Sequence, residues 1–107
     1  MVRTYLFTAT TLAVYNVWND IIAPPDPTLS NSPYVEKVVK KFTVYFPLLG
    51  PNSASNAGNY VSIFVGGVEA KSLITGDTFS LSGVADTSRI GIQGSALNVQ
   101  AELTIVF

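Results

Sequence analysis

Clusters of Gly, Pro, Asn, Asp and Ser cut this 107-residue chain into pieces at spacings of about eight to twelve residues. The pieces between them are rich in Val, Ile, Thr, Tyr and Phe, the residues that fit a pleated, half-buried surface. Segments this short leave no room for a long amphipathic helix, and none is legible. The clearest segment is the last, where Val99, Ala101, Leu103, Ile105 and Phe107 alternate with Gln100, Glu102, Thr104 and Val106. That period of two predicts a strand with one buried and one mostly wet face.

Further strands follow from the same pattern. Phe42, Val44 and Phe46 point one way and Thr43 and Tyr45 the other, up to Pro47, which has no N–H to give a ladder. Val61, Ile63 and Val65 oppose Tyr60, Ser62 and Phe64 before Gly66-Gly67. Phe79 and Leu81 oppose Thr78 and Ser80, and residues 89–93 form a short strand that Gly94-Ser95 turns into the last one. Near the start, Tyr5, Phe7 and Ala9 oppose Leu6, Thr8 and Thr10. A second strand is expected through Leu12, Val14 and Val17 to Trp18. Residues 24–33 hold four prolines, which predicts an extended surface loop, and residues 50–58 read as a small polar loop tip. The expectation is a single all-β domain over residues 1–107: an antiparallel β-sandwich of seven or eight short strands, jelly-roll-like because the Cys-Trp-Cys pattern of true immunoglobulins is absent.

Charge sets the functional reading. Only 12% of residues are ionised against the usual ~25%, and the net charge of −1 gives copies little mutual repulsion. Such a surface tolerates self-association. The chain has no His and no Cys, which removes the commonest general base, the commonest metal ligand and the thiolate nucleophile. Any two of its seven acids could in principle form a glycosidase-like pair, but four have plain turn or surface roles: Asp77 follows Gly76, Asp86 precedes Thr87-Ser88, Asp26 sits between prolines and Glu102 lies on a polar strand face. No calcium-loop or phosphate-loop pattern is present, so no catalytic, metal or cofactor residues are expected.

Two other features bear on partners. Trp18, Ile21 and Ile22 precede Pro24, Pro25, Pro27 and Leu29, and this apolar segment with its proline loop is the expected interface with a neighbouring subunit. Lys37, Lys40 and Lys41 form the one basic cluster. It could touch a nucleic-acid backbone, but lysines flanking an edge strand that must not pair are the stronger reading. Tyr5, Tyr15 and Trp18 could stack on sugar rings, which keeps a carbohydrate-binding module as the alternative. No run of apolar residues is long enough to span a membrane, and Met1-Val2-Arg3-Thr4-Tyr5-Leu6 lacks the features of a secretory signal.

Residues 34–39 and the stretch from Ser55-Asn56-Ala57-Gly58-Asn59-Tyr60-Val61 to Gly67 resemble small phage and virus structural proteins. So do Ile74-Thr75-Gly76-Asp77-Thr78-Phe79-Ser80-Leu81 and residues 86–94. Thr87 stands where the pattern usually has Leu. The resemblance implies a capsid, vertex or penton, spike, decoration or tail-associated β-domain, made in the host cytoplasm and located in the virion. Its partners would be further copies and other virion proteins, and it carries over no catalytic residues.

Overall fold

A computed structural model describes residues 1–23 and 37–107. The predicted proline loop, with Pro24, Pro25, Pro27 and Leu29, lies outside the described residues.

Among the described residues ten strands form: β1 Val2–Thr8, β2 Tyr15–Asn16, β3 Val38–Val39, β4 Lys41–Tyr45, β5 Tyr60–Val65, β6 Val68–Ile74, β7 Thr78–Leu81, β8 Ala85–Asp86, β9 Ile90–Gly94 and β10 Gln100–Val106. Their pairing is nested. β5 pairs with β6, β4 with β7, β3 with β8, β2 with β9 and β1 with β10, every pair antiparallel. The chain is therefore one long two-stranded ribbon with its tip at Gly66-Gly67, rolled until β10 meets β4 and β9 meets β5. Two four-stranded sheets result, β1-β10-β4-β7 and β2-β9-β5-β6, and this is the jelly-roll β-sandwich.

The tip follows from the backbone. Val65 and Val68 pair across a two-residue loop whose glycines have φ of +60° and +83°, the left-handed values that a hairpin turn matching the strand twist requires. The core follows from the alternation. Phe42, Val44, Phe46, Val61, Ile63, Val99, Ala101, Leu103 and Ile105 all face inward and are fully buried, as the period of two predicts.

The structure departs from expectation in four places. The second strand shrinks to Tyr15–Asn16, and Val17–Ile22 instead winds into a wide π-type helical turn. Asn16 starts that turn: its Oδ1 accepts from Asn19 N–H at 2.8 Å, while its own N–H donates to Asp20 Oδ2 at 2.7 Å. This reciprocal capping overrides the β-propensity of Val17, Ile21 and Ile22. β6 was not legible because only Leu73 on it is buried, so no apolar face marks it. Val65 is more than a third exposed although it keeps its register with Ile90, because it is the last residue before the Gly66-Gly67 tip. Finally, Lys41 sits on β4, which lies between β10 and β7, so it does not guard an edge.

Candidate functional site

Four connections meet at one end of the sandwich: residues 9–14 between β1 and β2, 46–59 between β4 and β5, 75–77 between β6 and β7, and 95–99 between β9 and β10. Backbone bonds tie them together. Ala9 N–H donates to Val99 O and Asn98 N–H to Ala9 O; Phe46 N–H donates to Asp77 O; Ser95 N–H donates to Tyr60 O.

The longest of these loops is preorganised by a fully buried amide, Asn56. Its Nδ2 donates to Pro47 O at 2.7 Å and to Gln100 O at 2.8 Å, while Oδ1 accepts from Gln100 N–H at 3.1 Å. Gly50 lies against the Gln100 side chain so closely that a Cβ there would stand 2.8 Å from Gln100 Cβ. The small polar tip expected at 50–58 therefore has a buried anchor, and no local pattern distinguishes Asn56 from Asn52 or Asn59.

The same end exposes apolar side chains on three of the four connections and beside the fourth. Leu12, Leu48, Leu49, Leu97 and, where β6 ends, Ile74 are each more than half exposed. The one Lys, Arg, Asp or Glu in the four connections is Asp77, whose Oδ2 accepts from Ile74 N–H at 3.2 Å. A single exposed Leu is ordinary, but a set of them on rigid, nearly uncharged loops at one end is the composition of an interface core.

Trp18, Ile21 and Ile22, the described part of the expected interface, do not stand on the surface. All three are buried in the chain's own core, Trp18 at 4% exposure, and they have little surface left to give a neighbour. The amphipathic helical turn faces them inward. Lys37 Nζ lies 5.9 Å from the centre of the Trp18 ring, while Lys40 and Lys41 are exposed. The expected sugar-stacking set does not form a surface platform either. Trp18 is core, Tyr5 packs against the core with its hydroxyl buried, and Tyr15 packs edge-on against Phe7 with ring centroids 5.0 Å apart.

Tyr15 has one chemical peculiarity. Its phenolic oxygen accepts from the N–H groups of Thr10 and Thr11 at 2.9 and 3.0 Å and lies 2.8 Å from Thr10 Oγ1. These hydrogen bonds, led by the hydroxyls of Thr10 and then Thr11, favour the phenolate and lower its pKa to about 8. The arrangement ties loop 9–14 to β2. Among the described residues, no three acids gather as a metal site. In sequence, the chain matches no family model and no curated protein.

Proposed function

We propose that the chain is a structural component of a virus particle, such as a capsid, vertex, spike or decoration subunit, and that it acts by oligomeric assembly through its four-loop end. One observation carries the reading: five large aliphatic side chains stand exposed at one end, four on its loops and Ile74 where β6 ends, and the four connections hold a single charged residue. Burying such a surface releases apolar area at about 25 cal/mol per Å2, and a rigid loop loses little entropy on docking. The jelly roll recurs in viral capsid domains and in lectins, so the architecture agrees with the proposal without selecting it.

Light scattering coupled to size-exclusion chromatography tests it. The wild-type chain is expected to form a concentration-dependent oligomer, and a Leu48→Glu/Leu49→Glu variant to run as a folded monomer. A wild-type chain that stays monomeric at every concentration would sink the proposal. At the genome level, the matching observation is a neighbourhood of capsid and packaging genes.

A second reading, a carbohydrate- or receptor-binding module, is favoured by one groove. Tyr60, 49% exposed, stands there beside Ser62, Glu69, Gln93 and Ser95, with Leu12 as an apolar wall. Gln93 Nε2 donates to Leu12 O at 2.7 Å, which holds the amide in place. A stable monomer retained by a glycan column, and released when Tyr60 is replaced by Ala, would favour this reading.

A further inference from the structure

Five of the six Lys and Arg residues gather at the end opposite the loops: Arg3, Lys37, Lys40, Lys41 and Arg89. The fold assembles them from distant parts of the chain. Lys40 N–H donates to Val106 O beside the start of β1, Thr87 N–H donates to Lys37 O, and Gly66 N–H donates to Arg89 O. Among the described residues, the acids there are three: Asp20, whose carboxylate accepts from Asn16 N–H, Asp86 and Glu69. The Asp86 carboxylate accepts from Ser88 N–H and Oγ at 3.0 and 2.6 Å, and Glu69 follows the ribbon tip.

The same end carries the two most exposed large apolar side chains among the described residues, Val84 at 76% and Val68 at 71%. Val65, Leu81, Val84, Asp86 and Arg89 line one shallow groove between the β5–β6 tip and residues 82–86, where the Asp86 carboxylate is already engaged by Ser88. Cations and protruding aliphatic tips therefore share one surface.

Each class of partner meets this surface differently. Docking it on the loop end of another copy would desolvate several cations against a single acid, Asp77. A nucleic-acid backbone would take the cations and leave the valines in water. An anionic bilayer takes both, because phosphates attract the cations while the valines enter the headgroup boundary. We infer that this end is a peripheral docking surface for an anionic lipid bilayer, with Val68 and Val84 entering the interface and Lys40, Lys41 and Arg89 facing phosphates. No helix among the described residues is long and apolar enough to span the membrane, and the inference requires none.

Flotation with vesicles of phosphatidylcholine alone, and of phosphatidylcholine mixed with phosphatidylglycerol, tests it. Binding is expected to the mixed vesicles only, and high salt should weaken it. In a Lys40→Gln/Lys41→Gln variant it should fall by about five-fold for each lysine. A Val68→Ser/Val84→Ser variant should also weaken it, with circular dichroism unchanged in both variants. Absence of vesicle binding overturns the inference, as does vesicle binding that ignores the valines. Salt-sensitive binding to single-stranded DNA in place of vesicles overturns it in favour of nucleic acid. The Leu48→Glu/Leu49→Glu chain should still bind vesicles, so a failed assembly proposal and a failed lipid surface give different results.

Discussion

Asn56 and Gln100, forty-four residues apart, bond reciprocally in the interior: Asn56 Nδ2 donates to Gln100 O, and Gln100 N–H donates back to Asn56 Oδ1. This pair fastens the longest loop to the start of β10 and so sets where Leu48 and Leu49 stand. Replacing Asn56 with Ala leaves buried backbone groups without partners. The expected loss is about 2–3 kcal/mol of stability, read as a lower urea midpoint with an unchanged slope.

Gly50→Ala acts on the same contact from the other side. The new Cβ meets Gln100, whose Nε2 is held at 3.2 Å from Thr8 Oγ1, so the side chain must yield or the loop must move. A cost of about 1–3 kcal/mol is expected in thermal or urea unfolding. Loss of the proposed oligomer at protein concentrations where the variant stays folded would show that this loop's shape matters for assembly.

Trp18→Ala should act through folding. The side chain is buried beside Val17, Ile21 and Ile22 in the chain's own core, so truncation leaves a cavity worth about 3–5 kcal/mol. If the variant instead keeps full stability and loses only assembly, Trp18 acts as a contact residue.

Tyr5→Phe should cost nothing. The Tyr5 hydroxyl is buried without a hydrogen-bond partner among the described residues, and burial pushes its pKa up, the Arg3 charge opposing this more weakly. Removing an unsatisfied polar atom is expected to leave stability equal or raise it by up to about 1 kcal/mol, measured by urea unfolding.

Tyr15 gives the pH dependence. Its folded pKa of about 8 lies below the unfolded value of about 10, so between these the unfolded chain binds the extra proton and stability rises with pH. The contribution is complete above the unfolded value and disappears as pH falls through about 8. An ultraviolet titration should show a phenol ionising near pH 8, and the Tyr15→Phe chain should lack that phase.

Much of this protein was written locally. The alternation from Val99 to Ile105, the Phe42, Val44, Phe46 face and the Gly66-Gly67 tip could be read directly, because side-chain period and glycine φ belong to a few consecutive residues. Scarce charge and the lack of His and Cys are equally local facts, and they pointed to contacts in preference to chemistry. The nested ribbon was not legible, because strand order depends on contacts summed across the whole chain. For the same reason β6, with one buried residue, was silent until β5 supplied its partner. The helical turn that buried Trp18 turned on the cap at Asn16, whose Oδ1 accepts from Asn19 N–H and whose N–H donates to Asp20 Oδ2. Only the rolled ribbon could bring Arg3 and Arg89 to Lys37, Lys40 and Lys41, and four separate uncharged loops to the other end. Closure of the two sheets made one end basic and the other apolar, and neither end exists in any single stretch of the chain.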